Sequence, residues 1–140
     1  MASMLYPAFK RSLGEGVFDL AADTLRCALL TSAHAPSADH AVYADVAADE
    51  VAGAGYVAGG QALSGVAWSL SGTTAVLDAA DAHWSGVTVT ARYAVLYADK
   101  TTTGGQVDPL LCLLDFGTDK GVVDGVFTVA FDAAGILALD

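Results

Sequence analysis

The stretch GVTVTARYAVLYAD, Gly86 to Asp99, is the longest strand-like run in this chain of 140 residues. Because successive side chains of a strand point to opposite faces, its alternate valine, alanine and tyrosine residues form one apolar face. On the other face, two threonines and Arg92 give way to Ala94 and Leu96. The pattern predicts a strand that begins with one face in solvent and ends with both faces covered, and it places Arg92 at the change.

Arg92 is one of only six lysine and arginine residues, against 16 aspartate and glutamate residues and a net charge of −10. An arginine at such a position lays its aliphatic stem on apolar neighbours and directs its guanidinium group to a carboxylate. Two interpretations stand. Arg92 forms an internal pair with one of the many aspartates, or it faces a partner, since arginine is enriched in protein interfaces.

The rest of the chain is organised around short strands. Leu25 to Thr31 predicts a first strand, and Tyr6 to Leu13 and Tyr43 to Val51 predict short helices. After Gln61, strand-like runs alternate with turn signals, and the connections are too short for the crossover helices of an α/β fold. We predict a single all-β domain over residues 1–140, an antiparallel, jelly-roll-like β-sandwich with one or two short helices in its N-terminal third.

Two of the later strands are predicted at Leu110 to Phe116 and at Val126 to Phe131. The stretch GTDKGVVDG between them contains three glycines and two aspartates, which are residue types typical of turns. We therefore predict that it connects two separate strands.

The stretch GAGYVAGG, Gly53 to Gly60, superficially resembles a phosphate-binding loop. Such a loop needs a strand before it and a helix after it, so that the phosphate meets the helix N-terminus. Here a helix-like segment comes before and a strand-like segment follows. The pattern favours a glycine-rich turn or a close crossing of two backbone segments.

Histidine and aspartate residues cluster in HAPSADH, His34 to His40, and in LDAADAHW, Leu77 to Trp84. Neither stretch has the ligand spacing of an EF-hand or of an HExxH helix, so we predict solvated loops and no cofactor. The chain contains no GxSxG motif, and Cys27 and Cys112 lie in apolar runs typical of buried thiols. We predict that the protein is not an enzyme.

Charge and hydropathy bear on the class of partner. An acidic surface repels phosphate backbones, so we expect no nucleic acid partner. No run approaches the roughly 20 apolar residues of a membrane-spanning helix, and the N-terminal charges follow the apolar residues, unlike those of a signal peptide. We expect no membrane partner and folding in a cytoplasm.

Met1 to Arg11 is the only segment that is both apolar and basic. It predicts an N-terminal arm or short helix, within residues 1–13, that contacts another subunit. The aromatic Trp84 is either a core residue or a contact anchor, whereas Trp68 is assigned to the core. The candidate interface residues are Met4, Leu5, Tyr6, Phe9, Lys10, Arg11, Trp84 and Arg92.

Four blocks in order carry a family resemblance: EVAGAGYVAGGQALSG from Glu50, TARYAVLYAD from Thr90, PLLCLLDFGTDK from Pro109 and FDAAGILAL from Phe131. Together they resemble the capsid cement or decoration proteins of tailed bacteriophages. The resemblance implies a sandwich protein of the virion, made in the host cytoplasm and without catalytic residues. It would bind the outer surface of the major capsid protein shell as symmetric copies and reinforce that shell.

We expect those copies to be two-fold homodimers, the commonest symmetric oligomer. The rival interpretation is a receptor- or carbohydrate-binding β-sandwich module of a phage tail fibre or baseplate. In that case Trp84, the aspartate-rich loop beside it and the TTTGG loop would form a sugar site.

Overall fold

The structure is a computed structural model that describes residues 2–139, and 48% of it is strand. In chain order the elements are β1 (Ala2–Leu5), α1 (Pro7–Gly14), β2 (Leu25–Leu30), β3 (Gln61–Ala62), β4 (Ala67–Ser71), β5 (Thr74–Asp78), β6 (Ala82–Ala98), β7 (Leu110–Val129) and β8 (Leu137–Leu139). Two single-turn 3-10 helices, Tyr43–Asp45 and Ala47–Asp49, lie between β2 and β3.

The strands form two antiparallel sheets, one with the order β1-β7-β6-β2-β3 and one with the order β4-β5-β8. The predicted all-β, antiparallel, sandwich-like class is confirmed. Eight strands is also the number in a jelly roll, and here they divide five and three between the sheets. One core cluster joins the sheets, because Leu77 of β5 and Leu137 of β8 are buried with the central residues of the larger sheet.

The burial of β6 follows its sequence pattern. Residues 82–91 alternate between buried and exposed with one interruption at Ser85 and Gly86, residues 93–98 are all buried, and Arg92 lies between the two regions. In the second region β2 pairs with the edge along Leu25–Leu30, and the rings of His34 and Tyr43 pack on those of Tyr93 and Tyr97. The predicted change from one covered face to two is therefore confirmed, and it occurs at Arg92.

The 20-residue β7 is longer than predicted, because GTDKGVVDG belongs to the strand rather than to a connection. The long β6 provides partners on both sides of residues 116–119 and again from Lys120 onward, so the turn-type residues form bulges within the ladder. Gly117 and Asp124 have the positive φ angles of 82° and 46° that accompany these irregularities.

The predicted N-terminal helix is present as α1, which begins with Pro7 and buries Phe9 against Phe18 at a ring-centroid distance of 5.0 Å. The second predicted helix is instead the pair of 3-10 turns. The Asp45 carboxylate accepts hydrogen bonds from the backbone N–H groups of Ala41 and Val42, which closes the first turn. Glu50 is already extended, so the helix does not continue.

The two cysteines are free and buried in the central strands. They lie on β2 and β7, each opposite Leu96 of the intervening β6. Burial raises the pKa of the Cys112 thiol to about 12 and raises that of Cys27 further. The predicted buried thiols are confirmed. Among the described residues, no helix has the length and hydropathy needed to cross a membrane.

Candidate binding surface

The part of β6 and β7 that extends past the other strands forms a two-stranded ribbon, defined here as residues 82–91 and 117–129. β2 pairs with β6 only from Tyr93 to Ala98, and β1 pairs with β7 only from Cys112 to Asp115. The two ribbon strands pair with each other, from Ala91 opposite Lys120 to Ala82 opposite Val129. The ribbon therefore has two edges that β1 and β2 do not cover.

The inner face of the ribbon belongs to the hydrophobic core. Its buried side chains are Ala82, Trp84, Val87, Val89, Ala91, Phe127 and Val129. Trp84 is only 7% exposed and packs against the rings of Tyr56 and Phe127. Of the two interpretations of Trp84, the structure supports the core residue, so this ring does not present a contact surface.

The glycine-rich loop, residues 53–60, covers the β6 edge of the ribbon. The Thr88 backbone N–H donates to the Ala54 carbonyl at 2.9 Å. A Cβ atom on Gly53 would lie 2.0 Å from the Thr88 carbonyl oxygen, and one on Gly60 would lie 1.8 Å from that of Cys27. The predicted close crossing of backbones is confirmed, and it explains why the sequence is rich in glycine here.

A polar cluster around Glu50 fastens this loop to the sheet. The Glu50 carboxylate accepts hydrogen bonds from the Tyr43 hydroxyl, from the Tyr56 hydroxyl at 2.5 Å and from the Gly59 backbone N–H at 2.9 Å. The Tyr97 hydroxyl donates to the Gly59 carbonyl at 2.6 Å. Burial, and next the hydrogen bond to Glu50, raise the pKa of both Tyr43 and Tyr56. The polar groups of the cluster are hydrogen-bonded to one another, and these bonds anchor the loop.

The outer edge of β7, residues 117–129, is open. Within residues 2–139, no strand other than β6 pairs with this stretch. Val123 lies in a bulge of β7 opposite Thr88 and is 84% exposed, and Val126 lies opposite a bulge of β6 at Ser85 and Gly86 and is 56% exposed. Bulges re-aim side chains, and an open edge offers unpaired backbone groups to another strand. These two valines and this edge form the candidate binding surface.

The sequence analysis missed the exposure of both valines, because it placed Val123 in a connection and Val126 at the start of a strand. The signal was available in the repeated valines of GVVDGV, since a solvated turn rarely needs three of them. Only the structure shows that they are exposed on a paired strand.

Arg92 forms the internal pair. Its Nε donates to the Asp115 Oδ1 at 3.0 Å, and its guanidinium lies 5.4 Å from the centre of the Tyr93 ring. The Asp115 carboxylate also accepts from the Gly117 backbone N–H at 2.8 Å, and this bond, followed by that from Arg92, lowers the pKa of Asp115. The Arg92 side chain keeps 31% of its surface exposed at the base of the ribbon.

The N-terminal candidates divide into buried and exposed residues. Tyr6 and Phe9 belong to the core of their own chain, so they offer no surface to a partner. Met4 and Leu5 are half-buried in β1, opposite Leu113 and Cys112. Lys10 and Arg11 are exposed on α1. The segment is thus a strand and a helix built into the fold rather than a free arm, and Met1 lies outside the described residues.

Metal-ligating residue types do not gather in large groups: in the described part of the chain, no three of the histidine, cysteine, aspartate and glutamate side chains are placed to share an ion. No family model, curated protein or solved structure matches the chain.

Proposed function

We propose that the chain is a structural virion protein that binds the outer surface of the major capsid protein shell of a tailed bacteriophage and stabilises it. The observation that carries this proposal is the open outer edge of the ribbon, where Val123 and Val126 are exposed. Exposed apolar side chains on an unpaired edge promote pairing with another chain, and proteins normally protect such edges. An edge left open is therefore a candidate for addition of a partner strand.

The net charge of −10 supports a partner other than a nucleic acid and a docking face with complementary basic groups. A shell presents the same partner many times, so each contact can be modest while several together give firm attachment. The four blocks that resemble cement proteins are the remaining support, and the two-fold homodimer stays a prediction.

Co-sedimentation tests the proposal against the tail-module rival. The purified chain is mixed with phage heads that lack it, and separately with isolated tails. We expect saturable binding to heads at a fixed ratio to the major capsid protein, with a gain in the heat resistance of the heads. Binding to tails alone, or to neither particle, would refute the proposal and favour a search for a glycan.

A further inference from the structure

The loop after β2 brings two histidines together beneath the larger sheet. His34 lies in a turn closed by its backbone N–H, which donates to the Thr31 carbonyl at 3.1 Å, and it is only 3% exposed. Its ring packs edge-on against Tyr93, with ring centroids 5.7 Å apart. The ring of His40 is 5.5 Å from that of His34.

Two ring nitrogens of this pair lack partners. The His34 Nε2 and the His40 Nδ1 are buried, and neither has a hydrogen-bond partner among the described residues. Leaving a buried polar atom unpaired is unfavourable, and a bound ion or water is one way in which such an atom is satisfied.

Asp49 determines which nitrogen of the more buried ring, that of His34, carries a proton in the neutral form. Its Oδ2 lies 2.8 Å from the His34 Nδ1, and a carboxylate at that distance accepts the proton of the nitrogen it faces. The neutral ring then carries a lone pair at Nε2. A carboxylate behind a histidine is the usual support of a metal-ligating imidazole, because it orients the ring and increases its basicity.

The spacing of the rings also fits one shared ion. A bond of about 2.0–2.1 Å from zinc to each nitrogen places a tetrahedral ion about 3.2 Å from each ring centre, so the two centres lie about 5.2 Å apart. The observed separation is 5.5 Å. Imidazole nitrogen is a preferred ligand of zinc, nickel and copper ions.

We propose that His34 and His40 bind one divalent transition-metal ion of the zinc class, with Asp49 as a positioning residue. The ligands are the His34 Nε2 and the His40 Nδ1, and water completes the coordination. With two protein ligands rather than the four of a structural zinc site, the ion is exchangeable. It would brace residues 34–40 against the sheet, independently of the function proposed above.

Zinc chloride titrated into the full chain tests the site, with the histidine ring nitrogens followed by nitrogen-15 NMR. We expect the rings of His34 and His40 to shift together and to saturate at one ion per chain. His83 is the internal reference, because its Nδ1 is already hydrogen-bonded to the Thr128 hydroxyl at 2.9 Å. No shift at millimolar zinc, or a shift at His83 alone, would overturn the proposal.

Variants distinguish zinc binding at the proposed ligands from non-specific zinc binding by other side chains. His40→Gln removes a ligand at a half-buried position and should weaken zinc binding at least ten-fold, whereas His83→Gln should leave it unchanged. Asp49→Asn should weaken it about 10- to 100-fold, the usual effect of losing such a support. Circular dichroism confirms that each variant is folded, and equal zinc affinity in His40→Gln and the unchanged chain would refute the site.

Discussion

Arg92 lies at the position in β6 where one covered face gives way to two. Its partner, Asp115, belongs to the neighbouring strand β7. Asp115 lies opposite Tyr93, immediately before the bulge at Gly117. That bulge turns the Gly117 N–H onto the same carboxylate that Arg92 reaches. One aspartate therefore joins the arginine and the bulge at the base of the ribbon.

The lowered pKa of Asp115 predicts an acid-dependent loss of stability. Its ordinary pKa is about 3.9, so its contribution is complete above that value and is lost as the pH falls through the lower pKa of the folded chain. A carbon-13 NMR titration of the carboxyl group measures this. Arg92→Gln should raise the pKa of Asp115 only part of the way, because the Gly117 N–H still donates. A full return to the ordinary value would contradict the order of causes.

Glu50 is the acceptor on which the loop cluster depends, and it can be tested with a matched control. In Glu50→Gln one acceptor oxygen becomes a donor that faces hydroxyl and N–H donors, so we expect a loss of about 1–3 kcal/mol in the free energy of unfolding. Glu15→Gln is the control, since Glu15 is exposed and forms only a pair with Arg11. Urea unfolding measures both variants, and equal losses would show that the cluster does not anchor the loop.

Among the elements, the glycine-rich loop crosses both β6 and β2 and holds them through hydrogen bonds. It pairs with the β6 edge at Thr88, and Arg26 of β2 donates to the Gly60 carbonyl at 3.0 Å. The loop covers the β6 edge of the ribbon around residues 86–88, whereas within residues 2–139 the β7 edge of the ribbon has no such cover.

A comparison of Gly60→Ala with Gly72→Ala distinguishes the stability cost of a steric clash from the cost of a positive φ angle. Both glycines have positive φ, 72° and 64°, but a Cβ on Gly60 meets the Cys27 backbone whereas one on Gly72 meets nothing within 4 Å. We expect Gly72→Ala to cost about 1–2 kcal/mol, the penalty of the left-handed conformation. Gly60→Ala should cost at least about 2 kcal/mol more, because the loop and the Cys27 backbone of β2 must move apart. Equal losses of stability in the two variants, measured by thermal unfolding, would refute the close contact between the loop and β2.

Periodicity was sufficient to predict α1 and the part of β6 from Val87 onward, because local pattern and tertiary environment agree there. Residues 82–84, predicted as part of a solvated loop, instead belong to β6, where Ala82 and Trp84 are buried. Periodicity was not sufficient for β7, where turn-type residues are held in a ladder by the long partner strand. Tyr6 and Phe9 show the same limit: an apolar segment beside Lys10 and Arg11 is read equally well as a docking arm or as a covered helix. Only tertiary contacts distinguish the two. Because the structure buries Tyr6 and Phe9, the candidate binding surface is on the ribbon and not at the N-terminus.

At the scale of the whole molecule, the chain combines a core that is anchored on several sides with a long open edge along residues 117–129 of β7. β1 pairs with β7 at one edge of the larger sheet, and the glycine-rich loop is hydrogen-bonded to β6 on the opposite side of the ribbon. Because Tyr6 and Phe9 are core residues, deleting residues 1–11 would damage the fold and would not test docking. Substitutions on the ribbon surface test it without that difficulty.

The most direct measurement is the occupancy of phage heads by the double variant Val123→Asp/Val126→Asp, compared with Leu70→Asp. Leu70 lies on the smaller sheet and is 75% exposed, so it controls for the loss of an exposed apolar residue elsewhere. We expect the double variant to keep its melting temperature and lose at least ten-fold in affinity for heads, while Leu70→Asp binds as the unchanged chain does. Full occupancy by the folded double variant would contradict the assignment of the ribbon as the binding surface.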